Sequence, residues 1–180
     1  SDMVLSADIK VGNTCNYACV MCHPEDSSLI YANWMANLDH PIVQSVLEED
    51  PEYLTRAKSF TFKNKQYIKY LDDILENNKH IKFLKFLGGE PFLDKFLIDK
   101  LRQLPASTKS KLSLLFVTNA SKDVSEIIDS LGDFKYVQCS VSLEGIGEVQ
   151  EWARYGSNWQ EVEQHVLKAV SNPRIDMSIL

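Results

Sequence analysis

The sequence predicts an α/β fold built on a parallel sheet. Two observations carry this. Short apolar runs that suit strands alternate with stretches of helical spacing, and a last apolar run lies at the C-terminal end. Helical stretches also end on stop signals, at Pro105, at Gly132 and at Asn172-Pro173. Strand–helix alternation of this kind implies right-handed crossovers and parallel neighbours.

The elements follow in order. Ala7, Ile9 and Val11 alternate with polar residues and predict a strand near 7–12, followed by a cysteine-bearing loop. Residues 25–60 carry weaker signals. Asp39-His40-Pro41 reads as a turn, and Ile42, Val43, Val46 and Leu47 form a short helical stripe before Asp50-Pro51. Phe60 and Phe62 alternate with polar neighbours. Tyr67, Ile68, Leu71, Ile74 and Leu75 predict a helix near 65–78. Phe83 to Leu87 reads as the second main strand and runs into Gly88-Gly89. Leu97, Leu101 and Leu104 mark a helix near 94–104, and Leu112 to Val117 is the third main strand. Ser121 is the expected N-cap of a helix bearing Val124, Ile127, Ile128 and Leu131. Val137 to Leu143 is the fourth main strand. Ser157 and Gln160 have capping-box spacing ahead of Val162, Val166 and Val170, and Ile175 to Leu180 begins a fifth strand.

Parallel sheets and barrels place their chemistry at the carboxyl ends of the strands. The cysteine loop, Gly88-Gly89-Glu90, Thr118-Asn119 and Glu144-Gly145 all fall just past predicted strand ends, so they are expected on one rim.

Composition narrows the function. With 180 residues, 44% hydrophobic and 24% charged, the chain is of ordinary globular make-up and large enough to bury a core. Residues 1–180 are read as one domain, with Ser1-Asp2-Met3 a cloning remnant and a family-specific insert within 25–80. No apolar run approaches the roughly 18–20 residues of a membrane span. No charged-then-apolar leader is seen, and a cytoplasmic protein is expected. The net charge of −6 argues against a general nucleic-acid binder. Residues 56–85 run the other way. Arg56, Lys58, Lys63, Lys65, Lys69, Lys79, Lys82 and Lys85 stand against Asp72, Asp73 and Glu76, which makes either a solvated helix face or a patch for an acidic partner.

Cysteine usage is the sharpest signal. Cys15, Cys19 and Cys22 form a C-x3-C-x2-C loop, and Cys139 stands alone inside a predicted strand. Clustered thiols without a leader suggest metal chemistry in a reducing compartment. Thiolates suit zinc or iron–sulfur clusters. Structural zinc takes four protein ligands, and only three are local here. His23 follows Cys22 too closely to turn toward the same ion, and Cys139 reads as a small core residue. A cubane cluster on three cysteines would leave one iron open to a chelating small molecule. His23, His40, His80 and His165 share no spacing suited to a catalytic base or metal site and are read as structural. Trp34, Trp152 and Trp159 are read as packing groups.

These motifs together resemble the radical S-adenosylmethionine (SAM) enzymes, over roughly residues 7 to 180. The C-x3-C-x2-C loop after the first strand is similar to that family's signature. Leu87-Gly88-Gly89-Glu90-Pro91 resembles its glycine-glycine-glutamate motif, Thr118-Asn119 its polar pair after the third strand, and Ser142-Leu143-Glu144-Gly145 its segment after the fourth. Arg154 to Trp159 is similar to an Arg-x-Gly-type stretch found in SPASM and twitch members, the closest pattern.

The resemblance implies a partial (β/α)6 TIM-like barrel, here ending at about the fifth strand. It implies a [4Fe–4S] cluster on Cys15, Cys19 and Cys22, with SAM chelating the open iron. Met21 would lie against the adenine. Gly88 and Gly89 would let the backbone approach the methionyl group, and Glu90 would face its amino group. Asn119 belongs to the same cofactor-binding set. Ser142 and Glu144 would address the ribose or methionyl end, and Arg154 the SAM carboxylate. Relatives often have Asp where Glu144 stands and an aromatic residue where Met21 stands. The implied reaction is reductive cleavage of SAM to a 5′-deoxyadenosyl radical, which takes a hydrogen atom from a substrate, with a peptide favoured by the SPASM/twitch likeness. A flavodoxin or ferredoxin would supply the electron. A sixth strand and the C-terminal cysteines of SPASM or twitch extensions are not seen, so the chain reads as a truncated, minimal or partner-completed core. The alternatives are a non-catalytic iron–sulfur protein of the same fold and a zinc-stabilised binding module.

Overall fold

A computed structural model of the chain describes residues 4–60 and 66–180. In chain order it begins with β1 (Ser6–Lys10), β2 (Ala18–Cys19), α1 (Ser28–Ala36), α2 (Pro41–Glu49), α3 (Tyr53–Ser59) and α4 (Gln66–Asn77). Then come β3 (Phe83–Leu87), a 3-10 turn (Pro91–Leu93), α5 (Lys95–Gln103), α6 (Ala106–Lys109), β4 (Ser113–Thr118) and α7 (Val124–Leu131). The remainder is β5 (Tyr136–Val141), α8 (Glu148–Ala153), β6 (Arg154–Tyr155), α9 (Trp159–Ser171) and β7 (Asp176–Ile179).

Among the described residues, five strands form one parallel sheet in the order β1-β3-β4-β5-β7. Strands that follow one another along the chain are therefore neighbours in space, as in a singly wound barrel. The sheet does not close; β1 and β7 are its edges. This is a partial TIM-like fold, as the motifs imply.

Strand alternation divides the sheet into two unlike faces. One face is apolar. Leu84, Phe86, Leu114, Phe116, Val137 and Cys139 pack there against Leu71 of α4, Leu97 and Leu101 of α5, Ile128 and Leu131 of α7 and Ala169 of α9. Phe116 anchors this layer, with its ring 5.3 Å from Phe86 and 4.8 Å from Phe92. The opposite face carries polar side chains, with Leu115 and Val117 among them. Lys85 lies 3.5 Å from Asp8, Gln138 donates to Ser178 at 3.3 Å, and the hydroxyls of Ser140 and Ser178 stand 2.7 Å apart.

The five main strands and the helices at 42–47, 65–78, 94–104, 124–131 and 162–170 stand close to where the sequence predicts them. Two caps differ. Asp123, not Ser121, caps α7, because its carboxylate reaches the Glu126 amide at 3.2 Å while Ser121 Oγ donates to Asn16. Asn158, not Ser157, caps α9 through the Glu161 amide at 3.3 Å. Phe60 is the C-cap of α3 rather than part of a strand; Phe62, and residue 65 of the predicted helix, lie outside the described residues. Among the described residues, no helix is long and apolar enough to cross a membrane.

The packing makes a direct prediction. Phe116→Ala should cost about 3–5 kcal/mol of stability, read as a lower urea midpoint at unchanged slope. Ile42→Ala, at a residue 63% exposed, should stay within about 0.5 kcal/mol. Equal losses at the two sites would contradict this placement of the core.

Candidate metal and cofactor centre

The cysteine loop runs from the carboxyl end of β1 to the start of α1, on the rim where the strands end. Two contacts seat it on the sheet. Glu90 N–H donates to Thr14 O at 2.7 Å, and Val11 N–H donates to Leu87 O at 2.9 Å. Gly88 and Gly89 make this approach possible. Both have positive φ, 83° and 48°. A Cβ on Gly88 would stand 2.9 Å from Gly12 O, and one on Gly89 2.8 Å from Thr14 N. Gly89 is thus nearest the backbone of the cysteine loop, while Gly88 is nearest the Lys10 side chain and then Gly12 O, which the sequence motif alone does not reveal.

Glu90 is 1% exposed. Its Oε1 accepts from Phe92 N–H at 3.1 Å and Thr118 Oγ1–H at 2.8 Å, and its Oε2 from Asn119 N–H at 2.7 Å. Burial pushes its carboxyl from an ordinary 4.5 up to about 7, against the pull of these donors and of Arg154. The Glu90 carboxylate is thus buried and joins the ends of β3 and β4 through Thr118 and Asn119. Asn119 continues the chain of contacts. Its Nδ2 lies 3.6 Å from Cys15 Sγ and 3.2 Å from Asn16 Oδ1, while its Oδ1 accepts from Ser121 N–H.

The second support was not foreseen. β2 and β6 form a short antiparallel ladder in which Ala18 pairs with Tyr155 and Cys19 with Arg154. Val20 N–H extends it to Ala153 O at 2.9 Å. Gly156 follows with φ 96°, where a Cβ would meet Asn16 O at 3.3 Å. These strands have two residues each, too short for any periodicity to register. The ladder brings the Arg154 guanidinium to the loop, with Nη1 3.6 Å from Cys19 Sγ. The other edge of Arg154 clasps Glu144, Nη2 at 2.7 Å from Oε1 and Nε on Oε2. Gln150, fully buried and also missed in the sequence, shapes that turn by accepting from Glu144 N–H at 2.9 Å and donating to Ser142 O at 3.5 Å. Ser142 N–H in turn donates to Thr118 O at 2.9 Å. Met21 is exposed beside the thiols.

The thiols are not equivalent. Burial pushes Cys15 up. Cys19 and Cys22 act on one another: their mutual contact and burial push the Cys19 thiol up, while the same contact holds the Cys22 thiol down. Arg154 favours the ionised form of both. Cys139 has no part in this, being wholly buried in the core opposite Phe116 and Met177, with its thiol pushed up to about 12 by burial. The donor set at the rim is thus three thiols with a cation and an amide beside them, which fits a cluster held by three thiolates. Among the described residues, no three His, Cys, Asp or Glu stand close enough to hold a single metal ion.

The other sequence candidates lie elsewhere. His165 Nδ1 meets Ala120 O at 2.9 Å, and His40 caps α2. Among the described residues the basic segment is spread over α3, α4, β3 and the turn between the last two. Arg56 pairs with Asp50, and Lys85 turns to Asp8 on the sheet face opposite the core. Lys79 and Lys82 fall between α4 and β3, and Lys63 and Lys65 lie outside the described residues.

Glu90 sets a pH dependence. Its raised pKa means that the folded chain binds more protons than the unfolded one between about pH 4.5 and 7, so this group's contribution to stability is full below that window and lost as pH rises through it. Glu90→Gln should remove this component. Urea midpoints of the wild type should fall relative to the variant between about pH 5 and 8. Parallel curves would contradict a buried, titrating Glu90.

Comparison with known proteins agrees with the rim. No curated protein matches the sequence. The family model described as the Radical SAM superfamily matches residues 9–175, nearly the whole chain. With its cysteine loop seated at the carboxyl rim of a parallel sheet, the chain belongs to the Radical SAM superfamily.

Proposed function

We propose that this chain is a radical SAM enzyme that holds a [4Fe–4S] cluster on Cys15, Cys19 and Cys22. The single observation that carries this reading is the loop itself, three thiols anchored at the rim with Arg154 laid against Cys19 by the β2–β6 ladder. When bound, the cluster and SAM supply a one-electron cleavage that yields a 5′-deoxyadenosyl radical for hydrogen abstraction. The protein's contribution is orientation, charge and exclusion of water. Arg154 and Asn119 offset the negative charge of the thiolates. Arg154 also offers a ligand carboxylate its Nη1 edge, since Glu144 occupies the other. Met21, which is exposed, would pack on the adenine through its thioether. Gly88 and Gly89 let the thiol loop close onto the β3 end, beside which the methionyl group would lie, and Ser142 and Glu144 stand on the turn that would meet the ribose.

The substrate is proposed to be a peptide. The SPASM/twitch likeness of Arg154 to Trp159 supports this, and the polar side chains of Asp8, Lys85, Gln138, Ser140 and Ser178 on one sheet face suit amide and hydroxyl groups. A flavodoxin or ferredoxin is the proposed electron donor. A reducing compartment such as the cytoplasm is the setting that three clustered thiols require.

Anaerobic reconstitution with iron and sulfide tests the reading. The wild type should become brown and form 5′-deoxyadenosine from SAM under dithionite. Cys19→Ala should lose the cluster, while Cys139→Ala should retain it. A brown protein that forms no deoxyadenosine would contradict the enzyme reading. Equal iron loss in the two variants would contradict the ligand assignment.

A further inference from the structure

Asn13 lies two residues ahead of the first loop thiol and is completely buried. Its backbone N–H donates to Phe60 O at 3.0 Å, and its backbone carbonyl accepts from Ser28 N–H at 2.6 Å. Its side-chain amide donates to Pro24 O at 2.8 Å and to Ala57 O at 3.5 Å. Pro24 lies two residues beyond the last loop thiol, so one side chain ties the two ends of the cysteine loop together and fastens both to α3. Asn13 Oδ1 is buried and finds no hydrogen-bond partner among the described residues. A position selected for packing alone would not keep an orphaned acceptor; the two N–H donors are what asparagine contributes here.

Neighbouring contacts act in the same direction. Ser27 Oγ donates to Tyr17 O at 2.8 Å, and Ser28 Oγ stands 3.3 Å from Cys15 O and 3.4 Å from Cys15 N. Lys10 Nζ reaches Asp26 at 2.8 Å. Gly12, with φ 114°, lets the chain pass against Phe60 O, where a Cβ would stand at 2.8 Å. Residues 24–60 thus buttress the thiol loop.

We infer that Asn13 is a positioning residue for the thiol loop: its amide clasps the loop ends through the Pro24 and Ala57 carbonyls, so that the protein itself sets the spacing of Cys15, Cys19 and Cys22. This rests on reading the loop as a cluster site. Outer partners of this kind typically change metal retention by about 10–100-fold when lost.

Asn13→Asp is the direct test. It keeps size and shape but turns a double donor into an acceptor facing two carbonyl oxygens. Amide hydrogen exchange of the metal-free protein should speed up in residues 13–24 and stay unchanged in β4. The reconstituted variant should release iron to a chelator at least about 10-fold faster than the wild type. Ser27→Ala, which removes the Tyr17 link and the cap on Ile30 N–H, should loosen the same segment to a smaller degree and serves if Asn13→Asp does not fold. Unchanged exchange in 13–24, or equal loosening of that segment and β4, overturns the inference. So does iron release within twofold of the wild type. A wild type that takes up no iron defeats the cluster reading instead, while the exchange data still decide the clasp.

Discussion

The rim of this protein is organised around a carboxylate taken out of water. Glu90 is buried at the end of β3, where it accepts from Phe92, Thr118 and Asn119. A buried carboxyl without partners is costly, and even with these three donors its pKa stands at about 7. That cost is tolerated because the same group fixes the end of β4 beside the end of β3. Asn119, held through its backbone, then presents its side chain to Cys15 and Asn16. The sheet thereby reaches the thiol loop in two steps from one carboxylate.

The loop is held from three directions. The paired glycines let it sit directly on the β3 end. The β2–β6 ladder crosses it on another side and delivers Arg154 to Cys19. Residues 24–60 close it on the third, through Asn13, Ser27 and Ser28. Such a loop has little freedom in placing its thiols. A preorganised donor set is what a site must have if the metal's own chemistry is to be directed rather than merely accommodated.

How far this was readable from the sequence depends on the length of the signal. The main strands and the longer helices were legible because buried apolar runs and helical stripes extend over several residues, as in Leu112 to Val117 or Tyr67 to Leu75. The cysteine spacing and Gly88-Gly89-Glu90-Pro91 were legible because residue type alone carries them. α1 was not, since Ser28–Ala36 is apolar all round and buries none of its residues, leaving no stripe to detect. The caps of α7 and α9 each moved along by a residue or two, because several polar residues compete at those starts. The roles of Glu90, Asn13 and Gln150 were beyond reach because they depend on partners distant in sequence.

The three loop thiols are proposed to hold a cluster whose open iron SAM can bind. Electron paramagnetic resonance of the reduced, reconstituted protein, recorded before and after addition of SAM, tests it most directly. The cluster signal should change shape and position when SAM is added. A cluster signal indifferent to SAM would contradict this proposal.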